Sequence, residues 1–100
     1  MIVVSGTIRF SPAALETLRE KARVVLTETA KEAGCIVYSF GEDFLEPGLV
    51  RVYEEWESRA HLDAHVKSPH TVDWNRSADA VGYLARDINV LEIGSVTPLD

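Results

Sequence analysis

The stretch from Leu49 to His70, LVRVYEEWESRAHLDAHVKSPH, decides the fold because its hydrophobic period changes in the middle. From Leu49 to Trp56 the residues alternate and include β-branched and aromatic types, which predicts a strand. From Ser58 onward apolar residues recur at helical intervals, with Ser58 as the predicted N-cap and Pro69 ending the helix. The stretch therefore predicts a strand followed by a short helix, and it carries all 3 histidines of the chain.

Further strands and helical segments are predicted on both sides of this stretch. They are a strand at Met1–Phe10, a helix that begins at Ser11-Pro12 and ends at Gly34, a strand at Cys35–Glu42, a helix or broken helix from Pro69 to about Ala85, and a strand at Asp87–Ser95. Gly6 in the first strand indicates a bulge or the close approach of another backbone. The sequence Glu46-Pro47-Gly48 predicts the turn of a hairpin.

The side-chain pattern inside these elements predicts which faces are buried. In the third strand the more apolar face is predicted to carry Val50, Val52, Glu54 and Trp56. In the last helical segment the predicted buried positions are Val72, Ala80, Val81 and Leu84. The charged residues of the first helix, Glu32 among them, are predicted to form an ordinary solvated face.

The order strand, helix, strand, strand, helix, strand predicts an α+β, ferredoxin-like βαββαβ fold with a four-stranded antiparallel sheet. Right-handed crossovers place both helical segments on one face of that sheet and leave the other face uncovered. Apolar side chains are predicted on both faces of all the strands, and an exposed apolar sheet usually marks an interface. We therefore expect a homodimer packed sheet to sheet.

Length, composition and charge predict a single domain over residues 1–100, with 46% hydrophobic and 26% charged residues. The net charge of -6 and the lack of a dense basic cluster argue against nucleic acid and anionic membrane surfaces as partners. The sequence has no apolar run long enough to span a membrane and no signal-peptide layout at its start, so a cytoplasmic location is expected. The lone Cys35 is predicted to be a small buried hydrophobe.

Several short motifs resemble the antibiotic biosynthesis monooxygenase superfamily, and most closely its small bacterial quinol monooxygenases. They are ExWES at 54–58, AHLxAH at 60–65, SPH at 68–70, IRxxP at 8–12 and ExGCxxY at 32–38. The resemblance implies a dimeric α+β barrel with a pocket between helices and sheet in each protomer. It also implies oxidation of quinols or polyketide aromatics by O₂ with neither metal nor flavin, although relatives include isomerases and haem-degrading enzymes.

The resemblance also assigns site residues. His65 falls on the family's helix histidine, Glu54 and Trp56 fall on its pair in the third strand, and His70 falls on the histidine after proline. The haem-degrading branch instead carries an iron-ligating histidine about where Asn75 stands. It also has a tryptophan at the position of His65 and an asparagine near the middle of the first strand, and all of these are absent here. No haem is therefore expected.

The chemistry of quinol oxidation gives His65 a role. A deprotonated hydroquinone gives up an electron more readily than the neutral form, so the protein must supply a base and exclude water. The imidazole of His65 suits this task, and a neighbouring carboxylate such as Glu54 could orient it and stabilise its cation. The alternative is that His65 bonds to the third strand for structural reasons. Aromatic residues that could bind the substrate ring, or else belong to the core, are Trp56, Tyr38, Phe40 and Trp74.

His61 and His65 have the i, i+4 spacing of a helical zinc pair. Leu62 stands where the zinc-protease motif carries a glutamate, and spacing alone places no third ligand. No metal and no cofactor are therefore expected.

Three functions remain open from the sequence. The first is a cofactor-independent oxygenase or oxidase of quinols or related aromatics, which would consume O₂. The second is an isomerase of a small carbonyl compound that uses the same base without oxygen. The third is a non-catalytic dimeric binding module.

Overall fold

The computed structural model describes all 100 residues, and its elements follow the predicted order. They are β1 (Ile2–Arg9), α1 (Pro12–Thr29), β2 (Cys35–Glu42), β3 (Leu49–Trp56), α2 (Arg59–Val66), α3 (Pro69–Val81) and β4 (Ala85–Glu92). The strands form one antiparallel sheet in the order β2-β3-β1-β4. The predicted α+β, ferredoxin-like fold is confirmed, and none of the helices is both long and apolar enough to cross a membrane.

Each helix begins with a serine cap. The hydroxyls of Ser11, Ser58 and Ser68 each accept a hydrogen bond from the backbone N–H three residues later. Pro12 and Pro69 follow two of these serines, where the missing proline N–H costs nothing because no helical acceptor exists there. A cap of this kind typically stabilises a helix by about 1 kcal/mol. The start of α2, which carries His61 and His65, is therefore fixed locally.

The main core lies between the helices and one face of the sheet. The predicted buried face of β3 is confirmed, since Val50, Val52, Glu54 and Trp56 are each at most 7% exposed. The largest cluster of buried apolar residues comprises Ile8, Phe10, Leu15, Leu18, Val50, Val52 and Ala78. It joins β1, β3, α1 and α3, and so holds the helices at a fixed distance from the strands.

The predicted buried face of α3 is wrong. Thr71 and Ala78 are its buried residues, while Val72 and Val81 are 41% and 40% exposed. Ala80 is also exposed, and Leu84 lies beyond the end of the helix. The cap at Ser68 and the packing against α1 set the rotation of the helix, and they place a threonine and a small alanine against the core instead of the larger aliphatic residues.

Two predicted boundaries also differ. The first helix ends at Thr29 and not at Gly34, so Glu32 lies in the turn before β2. Gly34 nevertheless has the positive φ of 79° that favours glycine, and it ends this turn. Strand β4 begins at Ala85, two residues before its predicted start. Cys35 is half-buried at the start of β2.

Gly6 lies where β1 approaches β4 most closely. A Cβ atom at this position would overlap the backbone carbonyl oxygen of Asp87. The predicted close approach is therefore confirmed, and it places β4 tightly beside β1 on the side away from β3.

The face of the sheet away from the helices is mixed in character. Strand β1 contributes Val3, Ser5 and Thr7 to it, and β4 contributes Asn89 and Leu91 opposite them. Both strands therefore carry an apolar residue on this face, as predicted, and polar residues alternate with the apolar ones along them. Exposed apolar residues include Leu91 on this face of β4, Val96 and Leu99 in the tail, and Phe44 and Leu45 in the turn between β2 and β3.

Candidate active site

A pocket of about 670 Å³ lies between the helices and the sheet, as predicted. Most of its lining residues are hydrophobic. The predicted site residues that line it are Tyr38, Phe40, Glu54, His65 and Trp74. The other two, Trp56 and His70, lie outside the lining. The fold therefore gathers five residues from β2, β3, α2 and α3 around one space.

His65 lies in the wall of this pocket and is 3% exposed. Its ring centroid is 4.7 Å from that of Trp56 and 5.1 Å from that of Tyr38, so aromatic rings hold the plane of the imidazole. Its Nδ1 lies 2.6 Å from Oε2 of Glu32. Its Nε2 has one protein neighbour, the hydroxyl of Thr71 at 3.4 Å. The ring is thus fixed on the Nδ1 side and weakly bonded on the Nε2 side.

Glu32 is the carboxylate that pairs with His65. Its Oε2 also lies 2.9 Å from Nε2 of His70, so two imidazole rings converge on one oxygen. An ionised carboxylate can only accept, so each histidine donates an N–H to it. In this network neutral His65 carries its proton on Nδ1, and the lone pair of Nε2 is available to another molecule.

The sequence pointed to Glu54 as the partner of His65, and the structure places Glu32 there instead. No hydrogen bond joins Glu54 and His65. Glu32 was assigned to a solvated helix face because α1 was expected to continue to Gly34. Since α1 ends at Thr29, the turn after it carries Glu32 over α2. The motif ExGCxxY at 32–38 contained this glutamate and was the signal that could have found it.

Glu54 is buried on β3 and bonds to its own strand. It is 7% exposed, and its Oε1 accepts a hydrogen bond of 2.9 Å from Nε1 of Trp56. Burial raises the pKa of Glu54, while the Trp56 N–H and the nearby charge of His65 oppose the rise. Glu54 therefore acts on His65 through charge and not through direct contact.

The raised pKa of Glu54 predicts how the stability of the protein depends on pH. The folded state holds this proton more tightly than the unfolded state, so stability falls as pH rises from the ordinary value of 4.5 through the raised one. Glu54→Gln cannot ionise, and its amide oxygen can still accept from Trp56. We expect Glu54→Gln to unfold at higher urea concentration than the wild type at neutral pH, with the difference shrinking in acid.

Glu57→Gln is the matched control for that measurement, since Glu57 is an exposed glutamate of the same segment. Its unfolding midpoint should stay near that of the wild type at both pH values. A Glu54→Gln protein less stable than the wild type at neutral pH would mean that neighbouring groups fully compensate the buried charge.

Three aromatic side chains form one wall of the pocket. The ring centroids of Tyr38 and Phe40 lie 5.3 Å apart, as do those of Phe40 and Trp74. Burial raises the pKa of Tyr38, with the charge of Glu54 adding to the effect, so its hydroxyl stays protonated and can donate. Such a row presents flat apolar surfaces and one polar atom to a ligand.

His61 is separated from this cluster. Its Nδ1 lies 2.8 Å from the hydroxyl of Ser58, at the start of α2. Its ring packs on Gly34, where a Cβ atom would overlap the imidazole. His61 and His65 therefore have separate partners and do not converge on one point.

Comparison with known proteins identifies the family. The sequence model of the antibiotic biosynthesis monooxygenase family matches residues 1–77. The chain belongs to this family. The resemblance predicted from the motifs is confirmed, and membership supports a monooxygenase function for the chain.

Two curated relatives and one solved structure illustrate the position of the chain in the antibiotic biosynthesis monooxygenase family. The probable quinol monooxygenase YgiN of Escherichia coli is 30% identical over 94% of this chain and 99% of its own length. The uncharacterized protein sll1783 of Synechocystis is 36% identical over 69% of this chain, which spans about half (47%) of that relative. A Deinococcus radiodurans protein of the family has a TM-score of 0.91 at 22% identity, over 100% of this chain and 99% of its own, which shows the shared fold.

Proposed function

We propose that the protein is a cofactor-independent monooxygenase or oxidase of a quinol or related aromatic, with His65 as its base. The observation that carries this proposal is the buried imidazole of His65, which lines an apolar pocket and is bonded through Nδ1 to Glu32. That arrangement leaves a proton acceptor in the wall of a pocket whose lining is mostly hydrophobic. The E. coli relative YgiN is named a probable quinol monooxygenase, which supports the same substrate class.

The proposed reaction begins with a proton transfer. The substrate hydroxyl gives its proton to Nε2 of His65, and the resulting imidazolium is stabilised by Glu32 at Nδ1 and by the charge of Glu54 nearby. The anion then gives electrons to O₂. In an oxidase cycle the hydroquinone loses two electrons and two protons, which reduce O₂ to hydrogen peroxide. In a monooxygenase cycle one oxygen atom enters the ring and the other leaves as water, and the hydroquinone itself supplies the two electrons and two protons for that water, so the product is a hydroxyquinone.

The aromatic wall supplies binding and orientation in this proposal. Tyr38, Phe40 and Trp74 would stack on the substrate ring beside His65, and the Tyr38 hydroxyl would donate to a substrate oxygen. Trp56 and His70 would act through His65, because Trp56 packs on its ring and His70 bonds to the same glutamate oxygen. We therefore propose them as positioning residues, in place of the substrate contacts that the motifs suggested.

Oxygen uptake tests the proposal. Purified protein treated with a chelator and checked to be free of flavin should consume O₂ when a hydroquinone is added, above the rate of autoxidation. The same substrates and a set of small carbonyl compounds should be tested without oxygen. Anaerobic turnover of a carbonyl compound, with no stimulated oxygen uptake, would instead identify an isomerase that uses the same base.

We also propose that the protein is a homodimer, since β4 and the tail after it expose apolar side chains that no part of the chain covers. Leu91, on the face of β4 away from the helices, is 46% exposed, and Val96 and Leu99 in the tail are 71% and 100% exposed. Such residues are commonly buried between subunits. Sedimentation equilibrium at micromolar concentration should give twice the chain mass of 11.1 kDa. A stable monomer under these conditions would contradict the assembly.

A further inference from the structure

We propose that Glu32, His65 and His70 form a binding site for one divalent transition-metal ion behind the wall of the pocket. Each residue offers one donor atom, and the three atoms lie within 4.8 Å of one another. Two imidazole nitrogens and a carboxylate oxygen are the ligand set that binds Zn²⁺ and its neighbours Co²⁺, Ni²⁺ and Cu²⁺. The i, i+4 spacing of His61 and His65 does not indicate this site, because the site joins His65 to His70 and to Glu32 from a distant turn.

The three donors come from separate segments that meet at one point. Glu32 lies in the turn between α1 and β2, His65 lies on α2, and His70 lies in the first turn of α3. Their exposed side-chain fractions are 17%, 4% and 17%. The site is therefore held by the tertiary fold and largely shielded from water, unlike a chance group of surface carboxylates.

The geometry needs only a small change to admit a metal ion. The oxygen of Glu32 lies 2.6 Å from Nδ1 of His65 and 2.9 Å from Nε2 of His70. Zinc ligands lie about 2.0–2.2 Å from the ion, so tetrahedral donors are roughly 3.4 Å apart. The two contacts to Glu32 must lengthen by less than about 1 Å, and the two imidazole nitrogens, which lie within 4.8 Å of each other, must close by up to about 1.4 Å, while the ion replaces the two N–H protons.

Neighbouring hydroxyls provide further polar support. The hydroxyl of Thr71 lies 3.2 Å from Nδ1 of His65, and that of Ser68 lies 3.1 Å from Nε2 of His70. Either hydroxyl, or a water molecule, can complete four ligands. An ion on these two nitrogens would take the place of their bonds to the hydroxyls, and the Thr71 hydroxyl could then accept from Nε2 of His65, which lies 3.4 Å away, as an outer-shell partner.

The position of the site gives the ion a regulatory effect on the proposed reaction. His65 lines the pocket, whereas Glu32 and His70 do not, so the ion would lie on the far side of the imidazole from the substrate. When an ion occupies Nδ1, the one proton of neutral His65 is on Nε2. Nε2 is the atom that must accept the substrate's proton, so it can no longer act as the base. This consequence rests on the proposed function: the occupied site inhibits the reaction.

Direct binding of Zn²⁺ tests the site without reference to activity. Protein freed of metal by a chelator is titrated with Zn²⁺ in competition with a chromogenic chelator, and Co²⁺ is added separately to record its visible absorption. We expect one ion per chain and a Co²⁺ spectrum typical of four-coordination. Loss of an outer-shell partner typically weakens metal binding by roughly 10- to 100-fold. His70→Ala and Glu32→Gln each remove a ligand, so each should weaken Zn²⁺ binding by at least that factor.

His61→Ala is the matched control, because His61 lies on the same helix but bonds to Ser58. Its Zn²⁺ affinity should equal that of the wild type. The site is refuted if no stoichiometric binding occurs, if His70→Ala binds as tightly as the wild type, or if His61→Ala loses the ion. Each variant is checked for folding by circular dichroism, and an unfolded His70→Ala protein is replaced by His70→Gln.

The effect of Zn²⁺ on oxygen uptake separates this inference from the proposed function. If oxygen uptake depends on His65 but saturating Zn²⁺ does not change it, the regulatory effect is refuted, while the proposed role of His65 as the base still stands. Stoichiometric Zn²⁺ binding in a protein that oxidises no quinol supports the metal site and contradicts the proposed reaction.

Discussion

Replacing His65 with alanine should lower the turnover rate by about 10²- to 10⁴-fold, the usual contribution of a positioned general base. The imidazole is the one proton acceptor in the pocket wall that is held by a carboxylate on its far side. Without it the substrate must lose its proton to water, which is a much weaker base than an imidazole. Oxygen uptake with a hydroquinone over a range of pH measures the loss, and circular dichroism reports the fold.

The size of the His65 ring requires a second variant. The ring fills space between Trp56 and Tyr38, so alanine leaves a cavity that lowers stability. His65→Gln fills more of that space without supplying a comparable base, and it should show the same loss of rate. His61→Ala should retain most of the activity. Near-normal turnover in both His65 variants would make this histidine structural, and the pocket would then work by binding and desolvation alone.

Glu32→Gln should give the second largest loss, about 10²-fold or more. When an amide replaces a buried carboxylate that orients a catalytic histidine, the turnover rate can fall by up to ~10⁴-fold, because the amide supports the wrong tautomer of the imidazole. Here the new NH₂ group can donate to Nδ1 of His65, which moves the imidazole proton to Nε2 and blocks the base. The loss should appear in kcat, since Glu32 does not line the pocket.

Glu54→Gln is the comparison that separates the two carboxylates. Glu54 bonds to Trp56 and affects His65 only through its charge, so its replacement should slow the reaction less than Glu32→Gln does. Steady-state oxygen uptake at several quinol concentrations gives kcat and KM for both variants. A larger loss in Glu54→Gln than in Glu32→Gln would return the orienting role to Glu54, as the sequence first suggested.

The fold could be predicted from local patterns because the decisive signals are local. The change of period after Trp56 and the serine caps each involve residues within one or two turns. The rotation of α3 could not be predicted in this way. Val72 and Val81 resemble core residues, but packing against α1 buries Thr71 and Ala78 instead. Periodicity identifies a helix, whereas its neighbours decide which side is covered.

The candidate site was only partly predictable for a related reason. The motifs indicated His65 and the aromatic wall, which the structure brings together around one pocket. The pairing of His65 with Glu32 joins residues 33 positions apart, and no local spacing rule reaches that far. It depends on where α1 ends, and the composition after Thr29 is compatible with several more helical residues.

The contact between Gly34 and the ring of His61 has a consequence for how the pocket would receive an aromatic ligand. Gly34 follows Glu32 by two residues, and His61 precedes His65 by about one turn of α2. Because Gly34 has no side chain, the segment that carries the carboxylate can approach the helix that carries the imidazole closely. This close approach is established when the chain folds, so structures with and without a bound aromatic should superimpose closely at this pair, and little of the binding energy need be spent on rearranging it.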